Sequence, residues 1–212
     1  MPDEPEADEE PIEERYTAFE KWPYRQIIYV KEYEQEWIDF AESFYFAGEK
    51  IVDGVACGRL FQDIEGVAGV YCFRHYLELI LKGIIMSGRW LQTADQNAFR
   101  EEVTKVRNIH ELSLLWQSVI EDARPKIDPK DWDNYDIAFV EACIGEFDEH
   151  DKKGFAFRYP GQGGERYVYD FGVLRLYMRH VRHVLGGLMT YLEEAYHQNA
   201  EWQAELRNIA GF

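Results

Sequence analysis

The most regular hydrophobic pattern in the chain lies between Glu65 and Met86. Its apolar residues recur at alternating steps of three and four, the spacing that aligns side chains along one face of an α-helix. Those residues are Val70, Phe73, Leu77, Ile80 and Ile84. Four further apolar residues widen the face, namely Val67, Tyr71, Leu81 and Ile85. Because most of the circumference is apolar, the pattern predicts a helix at the centre of the fold.

A row of charged residues runs along the same predicted helix. Arg74, Glu78 and Lys82 are spaced four residues apart and alternate in sign. One interpretation is a ladder of intrahelical ion pairs, each contributing about 0.3–0.5 kcal/mol. The other is that charges on a mostly buried helix need partners from elsewhere in the fold. Under the second interpretation these three residues are candidates for binding an anion or a partner.

A second long helix is predicted from about Asp170 to Ala195. Its apolar residues keep unbroken steps of four and three, which suits packing against an antiparallel helix or a second subunit. They are Leu174, Met178, Val181, Leu185, Leu188 and Leu192. The adjacent Gly186 and Gly187 cost helix stability, so we expect another backbone to approach closely there.

Other segments complete a mainly helical prediction. Helices are expected over residues 31–55, 94–106 and 109–123, and from Asp128 through Phe147, where Asp128 and Pro129 form a plausible helix start. Two alternating aromatic segments flank Gln162-Gly163-Gly164 and predict a small β-hairpin near residues 155–169. The sequence therefore predicts an all-α, mainly antiparallel bundle of four to five core helices with one small hairpin.

Charge separates an acidic tail from this predicted domain. The net charge is −17, and residues 3–14 contain eight acidic side chains and no basic one. This composition predicts a disordered acidic tail over residues 1–14, followed by a single domain over 15–212. Without the eight acids the chain still carries −9, which disfavours broad non-specific binding to nucleic acid.

The remaining composition indicates a soluble cytoplasmic protein without a cofactor. No uncharged apolar run approaches the roughly 18 residues that span a bilayer, so no membrane association is expected. Cys57, Cys72 and Cys143 are solitary and lie in apolar surroundings, as reduced core thiols do. His180 and His183 are one helical turn apart but have no third ligand at a recognisable spacing, so no metal site is predicted.

One concentrated basic face lies on the last predicted helix. Arg175, Arg179 and Arg182 follow one another at helical spacing, with His183 beside them. Either these arginines pair with the many carboxylates of the chain, or they form an anion or phosphate site. Arg158, in the predicted hairpin, is a further candidate phosphate contact, and its alternative role is to pair with Glu78 or another buried acid.

Three ordered segments resemble a known superfamily. Phe73–Ile84 (FRHYLELILKGI), His110–Trp116 (HELSLLW) and Glu146–Pro160 (EFDEHDKKGFAFRYP) are similar to segments of uncharacterised bacterial helical proteins. That group resembles the HEPN superfamily (higher eukaryotes and prokaryotes nucleotide-binding domain). The resemblance covers roughly residues 51–192 and implies a helical bundle that is often dimeric. It further implies a role in toxin–antitoxin or phage defence systems, with RNA, a nucleotide or a cognate antitoxin as partner.

Active members of the superfamily are metal-independent RNases that carry an arginine and, four to six residues later, a histidine. Arg175 and His180 match this motif. In such an RNase His180, or else His183, would donate or accept the proton, and Arg175 with Arg179 would stabilise the phosphorane charge. Five residues on a helix place the side chains of Arg175 and His180 about 140° apart. A two-fold dimer through the last helix would be needed to bring them together.

Two functional hypotheses follow from the sequence. The first is a HEPN-like endoribonuclease of a defence or toxin–antitoxin system. The second is a non-catalytic interaction or anion-sensing module, in which the polar helix row and the loop around Arg158 bind a ligand or partner.

Overall fold

Six α-helices make up most of the part of the chain that the structure describes. The computed structural model of the protein describes residues 36–90, 96–123, 136–154, 156–157 and 169–210. Its helices are α1 (Glu36–Ala56), α2 (Val67–Trp90), α3 (Gln96–Arg107), α4 (Leu112–Ala123), α5 (Ile137–Asp151) and α6 (Phe171–Ala210). A π-helical turn, Gln62–Gly66, leads directly into α2. The described residues contain no strand, so the all-α prediction is confirmed at the level of fold class.

Helix α2 lies at the centre, as its hydrophobic pattern predicts. It packs against α1, α3, α4 and α6. All five residues of the predicted apolar face are buried, and the largest of them, Phe73, is completely inaccessible to solvent. The described helices all belong to one compact unit, Tyr33–Phe212.

Glycines allow α1 and α2 to approach each other closely. A Cβ added at Gly48 of α1 would lie 2.9 Å from the ring of Phe73, and one added at Gly83 of α2 would lie 3.0 Å from Ile38. Both distances are shorter than normal van der Waals contact, so only glycine fits at these crossings. Since an early residue of α1 meets a late residue of α2, the two helices run antiparallel.

The apolar face of α6 packs within this chain. Met178, Val181, Leu185 and Leu188 are fully buried, and Leu192 is nearly so. Helix α6 contacts α1, α2 and α5. The predicted apolar face of α6 therefore packs into the core of the bundle, and only the other faces of α6 are left to contact a ligand or a partner.

Several predicted boundaries and environments differ in the structure. Helix α2 continues through Gly88 to Trp90, and α4 begins at Leu112 rather than at residue 109. Cys57 is exposed in the turn after α1, so the prediction of a core thiol is wrong there, whereas Cys143 is buried as expected. The acidic tail and the helix start at Asp128–Pro129 lie outside the described residues. Most of the hairpin predicted near residues 155–169 also lies outside them, and its described residues 156–157 and 169 are not in a strand. None of the helices in the described ranges is long and apolar enough to cross a bilayer.

Replacing Gly48 by alanine tests the close crossing of α1 and α2. We expect Gly48→Ala to lower the free energy of unfolding by about 1–3 kcal/mol, because the new methyl group overpacks the contact with Phe73. Gly145→Ala on α5 is the matched control, since a Cβ there meets no atom within 4 Å. In a helix, that change should stabilise the protein by up to about 1 kcal/mol. Urea unfolding of both variants checks the expectation, and equal shifts would contradict it.

Candidate functional site

The charged row on α2 is buried and bonded to distant parts of the chain. Arg74 is only 1% exposed, yet its guanidinium group finds three acceptors. Nη1 donates to Oε2 of Glu78 at 2.9 Å, Nη2 donates to the carbonyl of His110 at 2.6 Å, and Nε donates to the carbonyl of Asp151 at 3.1 Å. One side chain of α2 therefore holds the start of α4 and the end of α5.

Lys82 continues the same network one turn later. Its ammonium group donates to Oε1 of Glu78 at 2.8 Å and to the carbonyl of Arg107 at 3.0 Å. Nδ1 of His110 lies 2.9 Å from the same Glu78 oxygen. Both interpretations of the row thus hold together, since the intrahelical ion pairs form and the charges also find partners from other elements. Arg74, Glu78 and Lys82, the candidates for binding an anion or a partner, are thus hydrogen-bonded to other groups of the protein.

Two aspartates of α5 complete this buried network. Asp148 accepts hydrogen bonds from the backbone N–H groups of Leu112 at 3.0 Å and Ser113 at 2.6 Å, and so caps the first turn of α4. This cap explains why α4 begins at Leu112. Asp151 accepts from the N–H of Ala156 at 2.9 Å, and its carboxylate lies 3.4 Å from Nε of Arg74.

The environment of Glu78 keeps its carboxylate ionised. Burial alone would raise its pKa, but the hydrogen bonds and charges of Lys82, His110 and Arg74 outweigh burial and hold the pKa below its ordinary value of 4.5. The ionised carboxylate lies between two buried cations, and its loss would leave Lys82 without a counter-charge and Arg74 with Asp151 alone.

The basic face of α6 pairs with acids of α1. Arg175 contacts Asp53 at 2.9 Å and Arg179 contacts Glu49 at 2.7 Å. The third arginine of this face, Arg182, makes a bidentate pair with Glu42. Its Nε and Nη2 lie 2.9 Å and 2.6 Å from Oε2 of that carboxylate. Of the two roles open to these arginines, the structure shows pairing with the protein's own carboxylates.

Aromatic residues of α1 add to the contacts of Arg182. Its guanidinium carbon lies 4.8 Å from the ring centre of Tyr45 and 5.1 Å from that of Phe46, within the range of cation–π attraction. Burial, followed by the nearby Glu49 carboxylate, raises the pKa of Tyr45 to about 12. This phenol therefore stays protonated and can donate to Glu49, whose Oε1 is 3.3 Å away.

Arg175 and His180 point to different elements. Nε2 of His180 lies 3.0 Å from the carboxylate of Asp136, the residue before α5, and its ring packs edge-on against Phe139 at 4.8 Å. Arg175 instead reaches α1, where it contacts Asp53. Within one chain these contacts do not bring together the two residues of the predicted catalytic pair.

An open groove of about 960 Å³ follows one face of α6. From α6 it is lined by His180, Arg182, His183, Val184, Gly186, Gly187, Met189, Thr190, Tyr191 and Glu194, and Ile38, Glu42 and Asp136 form its sides. A Cβ added at Gly186 would meet no atom within 4 Å. The close backbone approach that the glycine pair predicts is therefore not made by the described part of this chain.

Sequence reasoning missed the acids that neutralise the basic face. Their positions on α1 were available as a signal, because Glu42, Glu49 and Asp53 follow helical spacing in the order opposite to the arginines. Asp148 gave no such signal, since a cap supplied by another helix leaves no local pattern. Arg158, the candidate from the hairpin, lies outside the described residues.

Comparisons of the chain with protein-family models, with curated proteins and with solved structures found no match. The geometry of the groove and of the ion pairs therefore carries the functional inference.

Replacing Glu78 by glutamine tests the buried network. We expect Glu78→Gln to lower the free energy of unfolding at neutral pH by about 3 kcal/mol, because it leaves Lys82 buried without a counter-charge and removes the nearer of the two carboxylates beside Arg74. Since folding lowers the pKa of Glu78, its contribution is present above the ordinary pKa of 4.5 and is lost as the pH falls through the lower value in the folded protein. The difference between wild type and variant should therefore shrink below about pH 4.5.

Urea unfolding at a series of pH values measures this difference. Glu141→Gln on the exposed face of α5 is the control, because Glu141 makes no hydrogen bond or ion pair within the described ranges. A pH-independent difference, or an equal loss in the control, would show that the charge of Glu78 does not stabilise the fold.

Proposed function

We propose that this protein is a HEPN-like interaction module of the bacterial defence or toxin–antitoxin type, which acts by binding and not by cleaving RNA. One observation carries the proposal. Each arginine of the α6 face is engaged by an acid of α1, and Arg175 and His180 are bonded to different elements. An RNase site needs the cationic and the proton-transferring group to meet at one phosphate.

The groove along α6 supplies a binding surface, and we assign a second copy of this chain to it. Seven residues make nearly two helical turns, so His180, Gly187 and Glu194 lie on one face of α6, and all three line the groove. A two-fold axis beside Gly187 would place His180 of each copy opposite Glu194 of the other.

Charge and space both favour this antiparallel pairing. The imidazole and carboxylate at the two ends of the face are complementary when the helix meets its own copy. At its centre, Gly186 and Gly187 carry no side chain, and Gly186 has open space above it. Apolar contacts would come from Val184 and Met189 on either side of the glycines.

An RNA cleavage assay tests the absence of nuclease activity. We expect purified protein incubated with RNA in EDTA to give no more cleavage than Arg175→Ala or His180→Ala, because the two side chains do not converge. Product lengths on a denaturing gel give the measurement. Cleavage that is lost in both variants, but kept in a control such as Arg59→Ala in the turn after α1, would establish the nuclease and overturn the proposal.

Sedimentation tests the dimer separately. We expect the wild-type protein to sediment as a dimer at about 10 micromolar and Gly186→Leu to sediment as a monomer, since the added side chain would fill the groove face. The monomer fold should tolerate this change, because a Cβ at Gly186 meets no atom within 4 Å. Circular dichroism checks the fold, and Gly145→Leu is the control that should remain dimeric. A monomeric wild type, or a dimeric Gly186→Leu, would contradict the assignment.

A further inference from the structure

A smaller pocket lies between α5 and the start of α6, and its lining differs from that of the groove. Its volume is about 170 Å³. Pockets for drug-sized ligands usually enclose about 300–1,000 Å³, so this one suits a molecule of only a few heavy atoms. The described lining residues are Cys143, Glu146, Phe147, His150, Tyr169, Asp170, Val173, Leu174 and Tyr177.

The charge of this lining is entirely acidic apart from one histidine. Glu146 and Asp170 contribute carboxylates, and no lysine or arginine is among the described residues of the pocket. Asp170 is engaged in the fold, because its Oδ1 accepts the N–H of Val173 at 3.0 Å at the start of α6. Glu146, by contrast, makes no hydrogen bond or ion pair with any residue in the described ranges. One carboxylate at the pocket therefore has no counter-ion among the described residues.

Aromatic rings form much of the remaining wall. Phe147 is buried at the base of the pocket, and Tyr169 and Tyr177 come from the segment that leads into and begins α6. The rings of His150 and Tyr169 meet edge to face with centres 6.0 Å apart. The face of an aromatic ring carries partial negative charge and attracts cations, most strongly where water is displaced.

The thiol in the pocket is unsuited to covalent or metal chemistry. Burial, together with the nearby Glu146 carboxylate, raises the pKa of Cys143 to about 12. Since the thiolate is the reactive and metal-binding form, Cys143 serves as an apolar part of the wall.

We propose that this pocket binds a small organic cation, a primary or quaternary ammonium compound, with its charge beside Glu146 and its carbon groups against Tyr169 and Tyr177. Three properties of the pocket coincide in this assignment: a carboxylate that no described residue pairs with, aromatic walls and a volume of about 170 Å³. The overall charge of −17 also raises the local concentration of cations around the molecule. This site is separate from the groove and does not depend on the proposed function.

Titration with charged and neutral ligands of the same shape tests the proposal. The full chain at about 150 mM salt, where long-range attraction is screened, is titrated with tetramethylammonium, choline and 3,3-dimethylbutan-1-ol, the neutral carbon analogue of choline. Shifts of the backbone amide resonances of α5 and α6 in NMR spectra follow binding. We expect both cations to bind saturably and the neutral alcohol to bind at least about tenfold more weakly.

Two variants locate the binding site. Glu146→Gln keeps the shape of the side chain but removes its charge, and should weaken choline binding by at least about tenfold. Glu149→Gln changes an exposed acid of the same helix that is not part of the lining, and should leave binding unchanged. Tyr177→Leu, which removes a ring that is already 38% exposed, should also weaken it.

Each opposite result would overturn the proposal. Equal binding of choline and the neutral alcohol would show an apolar cavity without cation recognition. Equal losses in Glu146→Gln and Glu149→Gln would show general attraction to an acidic protein. The absence of saturable binding by both cations would show that the pocket takes no ammonium ligand.

Discussion

The fold depends on a carboxylate held between two cations inside a helical bundle. Removing charged groups from water costs several kcal/mol for each ion, and the cost is recovered only when every donor and acceptor is satisfied. Here Glu78 and Asp151 together balance the charges of Arg74 and Lys82, and the donors that remain reach backbone carbonyls at residues 107, 110 and 151. Satisfying the charges on α2 therefore fixes the connection between α3 and α4 and the end of α5.

A glycine makes room for this arrangement. Gly154 has φ +73°, a backbone conformation that favours glycine, and a Cβ there would lie 3.4 Å from the guanidinium group of Arg74. The chain thus turns directly against the buried cation after α5. The segment from Glu146 to Gly154 thus combines a rim carboxylate, the cap of α4 and this turn.

The fold could be predicted from the sequence where apolar residues recur at regular helical spacing. The three-and-four spacing of apolar residues located α2 and the buried face of α6, and it left open whether the charges on α2 pair only along the helix or need partners from other elements. The identity of those partners could not be inferred, because they are largely backbone carbonyls, and a carbonyl is present at every residue. Likewise, the sequence showed the basic face of α6 but not its role. The structure shows that acids of α1 pair with its arginines.

The candidate site, too, could be predicted from the sequence only in part. The glycine pair of α6 predicts the close approach of another backbone, but Gly186 faces open space among the described residues, and the sequence could not show this. Pairing of two helices by spacing alone is also ambiguous, since many acids are available in so acidic a chain. Only the three-dimensional order of Glu42, Glu49 and Asp53 against Arg182, Arg179 and Arg175 removes that ambiguity.

The cap on α4 links the formation of one helix to the synthesis of another. The N–H groups of Leu112 and Ser113 receive their acceptor from Asp148, which follows them by more than thirty residues. Unsatisfied N–H groups at a helix start remain exposed to water until an acceptor arrives. On a chain that emerges from the ribosome amino end first, α4 can receive this cap only after most of α5 has left the exit tunnel.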